Sequence, residues 1–182
     1  AIKYYRKIRG LELAKIWSIY YFYQENILQA LLSNDLDIRE QFYIYKRELI
    51  QHQERLEAGK INIPYLSDLI TGIETIENPE KFLSDNFGDS EVSDIFVCQA
   101  LTKLEKFDDI ISLLQEHNNK YKSPFLFFIF LSYERLNRYD RSLEEIHLLN
   151  SSNYSFESNQ LYMITEFFIS SIIHLGDIGI IN

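Results

Sequence analysis

Two stretches of the sequence match each other position for position. The first runs from Ala100 to Leu114 and the second from Ser132 to Ile146. Each carries Leu, two polar residues, an aromatic and Asp: Leu104-Glu105-Lys106-Phe107-Asp108 and Leu136-Asn137-Arg138-Tyr139-Asp140. A shorter echo, Leu175-Gly176-Asp177-Ile178, follows after a somewhat longer interval, and the polar stretch Ser151–Ser158 accommodates the extra length. Self-similarity at the spacing from Leu104 to Leu136 marks an array of supersecondary units, each burying its apolar face against its neighbours.

The units are helical. Apolar residues recur at three- and four-residue spacing, broken by short polar turns, and no segment alternates as a half-buried strand does. The spacing predicts a short helix over Ile2–Arg9 ended by Gly10, then a long one over about Leu11–Ser33. The long helix has Ile16, Ile19, Tyr20, Tyr23, Ile27, Ala30 and Leu31 on one face. A second long helix, about Asp37–Ala58, presents Ile38, Phe42, Tyr45, Leu49 and Leu56 and ends at Gly59. Pro64 starts a helix to about Ile76, and Asn78-Pro79-Glu80 caps a short one to Asn86. Ser90, Glu91 and Asp94 open the next, to Leu104; Phe107–Asn118, Pro124–Leu136 and Tyr139–Leu149 follow. The last is expected over Asn159–Leu175, with a turn at Gly176–Gly179. Loops this short make consecutive helices antiparallel neighbours. Pro124–Leu131 is apolar on every side, so Phe125, Phe127, Phe128 and Phe130 are expected in a core. Tyr20, Tyr21 and Tyr23 either face a partner or pack on Phe42 and Tyr45.

Composition narrows the function classes. Only 6 Gly and 3 Pro in 182 residues are too few for an all-β chain of tight turns. With 27 acidic against 18 basic residues, the net charge of -9 argues against a phosphate-backbone partner, so no nucleic acid is expected. The single cysteine, Cys98, excludes an internal disulfide and a Cys-rich zinc site and fits a reducing, cytoplasmic setting. The longest apolar run is too short to span a bilayer, and no membrane partner is expected. No signal peptide is expected ahead of the first helix. The chain begins at Ala1 rather than Met, which reads as an excised or processed terminus.

The matched turns resemble those of the tetratricopeptide repeat, which read Leu-Gly-x-Tyr-x-x-Ala. The resemblance covers about Ser90 to Ile181, roughly half the chain. In place of the family's Gly stand Glu105, Asn137 and Gly176; in place of the second-helix Ala, Ile110 and Ser142; in place of the first-helix small residue, Cys98, Phe130 and Ile169. The resemblance implies an all-α fold of antiparallel helical hairpins stacked as a right-handed α-solenoid. On that reading residues 1–182 form a single helical-repeat domain, 1–60 a long hairpin and 61–182 tetratricopeptide-like pairs, within a larger protein or array. It implies that the first helix of each pair lines a concave face. Carried onto this chain, that face holds Val92, Ile95, Gln99, Thr102 and Lys103, then Pro124, Phe127, Leu131, Glu134 and Arg135, then Met163, Glu166, Ser170, Ile173 and His174.

One column, Lys103, Arg135 and His174, forms a basic ladder suited to an acidic peptide or a terminal carboxylate. The plainer reading is positive charge matched to helix C-terminal dipoles. The implied function is a protein- or peptide-binding scaffold or adaptor. The alternative is the peptide-sensing domain of a transcription regulator whose DNA reader lies outside these residues. The third repeat lacks its second helix, so an apolar face near Ile169–Ile181 is expected to meet a continuing chain or a homo-oligomeric partner.

No enzyme is expected. Arg47 and His52, and likewise Arg141 and His147, match the Arg-x4-6-His spacing of all-helical HEPN-type ribonucleases, a second alternative function that requires Arg47 and His52 to converge in a cleft. Two such spacings among eight Arg and four His carry little weight, and five residues set side chains about 140° apart on one helix. Each of the four His stands alone, with no second His three or four residues away, and Glu144-Glu145-Ile146-His147 lacks the second copy a di-iron bundle needs. No metal, cofactor, phosphate-binding loop or nucleophile elbow is expected.

Overall fold

The periodic stretches fold as helices. The computed structural model describes residues 2–33, 35–58, 64–86, 93–116, 123–152, 154–156 and 158–180. Among them are nine α-helices and no strand: α1 (Ile2–Leu32), α2 (Leu36–Ala58), α3 (Pro64–Glu77), α4 (Pro79–Asn86), α5 (Asp94–Lys103), α6 (Phe107–Glu116), α7 (Ser123–Arg135), α8 (Tyr139–Ser151) and α9 (Ser158–Ile180). The fold is all-α. No helix among the described residues is long and apolar enough to cross a membrane. Two compact units divide the chain, Ala1–Leu104 and Glu105–Asn182.

In the first unit α2 packs on α1 and α3, and α3 on α1, α4 and α5. The faces read from spacing are the ones buried. Ile16, Ile19, Tyr23, Ala30 and Leu31 of α1 meet Phe42 and Leu49 of α2 and Leu66, Leu69, Ile73 and Ile76 of α3. Tyr20, Phe22, Ile27, Ile38 and Tyr45 close over this cluster. Asp35 starts α2 as its N-cap, its Oδ1 accepting from the backbone N–H groups of Asp37 and Ile38 at 3.0 and 3.2 Å. Lys103 secures the other side of the corner: its Nζ donates to the carbonyls of Ala30 and Ser33 at 2.7 and 2.6 Å, where α1 leaves carbonyls without helical partners. Gly72 is required by packing, since a Cβ there would collide with the hydroxyl and ring of the buried Tyr23.

In the second unit α7 packs on α6, α8 and α9, and α8 on α9. Phe125, Leu126, Phe128, Ile129, Phe130, Leu131 and Tyr133 are all buried, as a helix apolar on every side requires. The turn after α7 is a Schellman motif: Arg138 N–H donates to Tyr133 O at 2.8 Å and Asn137 N–H to Glu134 O at 3.0 Å. Asn137 has φ 54°, and Glu105, its match in the preceding repeat, has φ 57°. Both occupy the left-handed region, where Gly carries no Cβ penalty. That explains physically why the resembling repeat has Gly at this place. Burial repeats in the same register. Val97, Cys98, Ala100, Leu101, Phe107, Ile110 and Leu114 are buried, and so are Ile129, Phe130, Ser132, Tyr133, Tyr139, Ser142 and Ile146.

Two expected breaks do not occur. Gly10 does not end a helix, for α1 runs unbroken from Ile2 to Leu32. Nor does Gly176 open a turn, for α9 continues to Ile180. Each glycine stays helical at about 1 kcal/mol relative to Ala; beside Gly10 the good helix formers Arg9, Leu11, Glu12 and Ala14 offset this. Gly59, Ser90, Glu91, Val92, His117, Asn118 and Asn119 lie outside the described residues, as does the side chain of Pro124.

Candidate functional site

The second unit brings three of the expected residues together, Glu134, Ser170 and His174. Glu134 on α7 and Ser170 on α9 meet directly, the Ser170 hydroxyl donating to Glu134 Oε1 at 2.8 Å. One turn on, His174 Nδ1 lies 2.7 Å from Ser170 O. A carbonyl only accepts, so Nδ1 is the donor in this contact. The imidazole stacks on Tyr139 at 4.3 Å between centroids and 12° between planes. Arg135 and Glu166 are exposed. The carboxylate of Glu166 accepts a hydrogen bond from the Tyr162 phenol and, through that bond and its charge, holds the phenol above its ordinary pKa. Phe127 is half-buried, its ring 6.3 Å from Phe167, and Leu131 is buried beneath. Glu134, Ser170 and His174 thus form a hydrogen-bonded polar shelf on α7 and α9, with exposed Arg135 next to Glu134 in sequence and exposed Glu166 one helical turn before Ser170.

Ser170, His174 and Glu134 are the residue types of a hydrolytic triad, but the wiring differs. In a triad the imidazole takes the hydroxyl proton and the carboxylate orients the imidazole. Here the hydroxyl bonds the carboxylate and the imidazole bonds the serine's own carbonyl. The bond from hydroxyl to imidazole that a triad uses is not among these contacts.

The first unit uses its groove candidates for its own interior. Gln99 is buried; its Oε1 accepts from Tyr23 OH at 3.1 Å and lies 3.2 Å from Thr75 Oγ1, linking α1, α3 and α5. Burial pushes the Tyr23 phenol up to about 12, and the Gln99 bond opposes this in part. Thr102 is buried with its hydroxyl on Cys98 O at 2.7 Å. The Cys98 thiol is pushed up by burial and by the charge of Asp94, which disfavours the reactive thiolate. Of the basic column, Lys103 belongs to the first unit and holds α1, while Arg135 and His174 belong to the second.

A feature with no sequence signal lies between α2, α3 and α4. A cleft of about 560 Å³ is lined by Leu36, Arg39, Tyr43, Ile76, Glu77 and Asn78 among others. Asn78 also lines a polar pocket of about 210 Å³, with Lys46, Glu74, Lys81 and Asp85. Lys46 bridges Glu74 at 3.1 Å and Glu77 at 2.9 Å. Burial lowers its pKa, and the bonds to the two carboxylates more than offset this, leaving it raised. These groups come from separate helices far apart along the chain, so spacing cannot reveal them.

On α2, Arg47 is exposed and His52 is buried. Glu144 pairs with Arg141 at 2.8 Å, and His147 is exposed. Among the described residues no group of three or more His, Cys, Asp and Glu is placed to hold a metal ion. Comparison with known family models, curated proteins and solved structures gives no match.

Proposed function

We propose that the chain is a tetratricopeptide-like helical-repeat module that binds a protein or peptide through the α7–α9 shelf. The observation that carries this reading is the recurrence of one turn and one burial pattern in the two matched stretches. Matching left-handed residues at Glu105 and Asn137 fit a stacked hairpin array, the right-handed solenoid of that repeat class. An array of that kind acts as a scaffold or adaptor by presenting a rigid face. The shelf offers what an extended peptide needs: an aromatic anchor at the half-buried Phe127, with Glu134, Arg135, Glu166 and His174 to fix register. Arg135 and His174 favour an acidic peptide or a terminal carboxylate. A cytoplasmic setting is supported only by composition, the single Cys98 leaving no internal disulfide to form.

Fluorescence anisotropy with short labelled peptides, acidic and basic, tests the reading. The acidic set is expected to bind, and Arg135→Glu to weaken it about tenfold, or about 1.4 kcal/mol. Binding by neither set, or binding of acidic peptides that Arg135→Glu leaves unchanged, removes the shelf as the contact surface.

A further inference from the structure

Helix α9 faces three ways. Gln160, Ile164 and Ser171 are buried in the unit. Glu166, Ser170 and His174 serve the shelf. A third side holds Leu161, Phe168, Ile169 and Ile172, each between 41 and 54% exposed, together with exposed Thr165 and Gly176. At about 100° per residue these six fall within a sector about 100° wide, and no charged residue among those described shares it. The sequence match between α7 and α9 shows what such positions do when covered. Leu126, Ile129, Phe130 and Tyr133 correspond to Thr165, Phe168, Ile169 and Ile172, and all four on α7 are buried.

The open side is complementary to itself. Its residues are spaced by 4, 3, 1, 3 and 4, a palindrome centred between Phe168 and Ile169. An antiparallel copy turned about that centre sets Leu161 on Gly176 of the second copy, Thr165 on Ile172, and Phe168 on Ile169. Two of the three pairings put a large side chain over a small residue, as ridges packing into grooves require. The absence of charge removes the like-charge contacts that a two-fold axis otherwise creates. Gly176 gains a reason from the same packing. Among the described residues a Cβ there would meet nothing within 4 Å, unlike at Gly72, so the chain's own packing does not demand glycine. Half-exposed side chains of this size offer roughly 100 Å² each. With flanking Tyr162 and Ile173, a two-fold pair buries about 1,200 Å², the lower end for a specific interface.

We propose that the chain pairs with a second copy of itself through this outer side of α9, antiparallel about a two-fold axis between Phe168 and Ile169. Pairing leaves the contacts of Glu134, Ser170 and His174 on another side of the helix, with Tyr162 and Ile173 at the border between the two surfaces.

Sedimentation equilibrium of the full chain tests it. A monomer–dimer equilibrium in the micromolar range is expected. Ile172→Glu buries a charge and is expected to raise the dissociation constant at least about 30-fold. Gly176→Leu fills the notch under Leu161 of the second copy, with an expected rise of at least about tenfold, while improving local helix propensity. Unchanged helical circular dichroism for Gly176→Leu separates lost pairing from lost folding. A chain that stays monomeric to about 100 μM overturns the proposal and leaves this side to a different protein or to a helix in the role of α8. A dimer that Gly176→Leu leaves intact overturns it equally.

Discussion

The two units fill their interiors by different means. In the first, polar side chains cross between elements: Tyr23 reaches Gln99, Gln99 reaches Thr75, and Lys103 closes the end of α1. In the second, α7 is apolar over residues 125–131, and the buried Ser132 Oγ turns back on its own helix, donating to Phe128 O at 2.6 Å. The bonds that cross to α8 and α9, from Tyr133 to Glu145 and from Ser170 to Glu134, are only part-buried. A core tied by long-range hydrogen bonds depends on the satisfaction of each group. A core packed around one apolar helix depends on volume. The second unit adds a contrast of its own, since α9 is as apolar as its neighbours yet keeps one side open.

The largest effect is expected where the volume-dependent core is broken. Phe130→Ala should destabilise by about 3–5 kcal/mol in chemical denaturation. Its counterpart Ile169→Ala, on the open side of α9, should change monomer stability by no more than about 0.5 kcal/mol. Equal losses would erase the distinction between the covered and open helices.

Alkali should single out the hydrogen-bonded core. Tyr23 titrates near 12 in the fold against 10.0 in the unfolded chain. Above pH 10 the unfolded state loses a proton that the folded state keeps, so this contribution is full below pH 10 and lost as pH rises through 12. The loss amounts to about 2–3 kcal/mol. Tyr23→Phe should flatten that part of the alkaline stability profile, at the expense of about 1 kcal/mol near neutrality for the lost hydrogen bond.

The glycines sharpen the comparison next. Gly72→Ala should destabilise by about 1–3 kcal/mol, because the rigid ring of Tyr23 has nowhere to move. Gly176→Ala in dilute solution should instead gain about 0.5–1 kcal/mol from helix propensity. Opposite signs of the two midpoint shifts in urea are the check. Ser142→Ala is expected to act on a scale similar to Gly176→Ala. The buried Ser142 hydroxyl has no hydrogen-bond partner among the described residues, so its removal should stabilise by about 1 kcal/mol in thermal melts.

Much of the architecture was legible because helical spacing is a local property. Ile16, Ile19, Tyr23 and Ala30 announce a buried face whatever packs on it. The breaks at Gly10 and Gly176 misled because glycine permits a turn without requiring one; the helix-ending turns of the matched repeats use a left-handed residue, and Glu105 and Asn137 supply it without glycine. The site was legible in part. Glu134, Ser170 and His174 do come together on α7 and α9, whereas Gln99 and Thr102, singled out by the same repeat register, are buried.

Periodicity along a few turns of chain is enough to specify the all-α class, the helices, the matched repeat and the inward faces of α1, α2 and α7. It is silent on neighbours. That Tyr23 requires Gly72, that Lys103 closes α1, that Lys46 sits between Glu74 and Glu77, and that α9 keeps an open side all emerge from the assembled fold. These depend on which helix comes to lie against which. The free energy that selects the neighbour is summed over whole faces, and no short window of residues contains it.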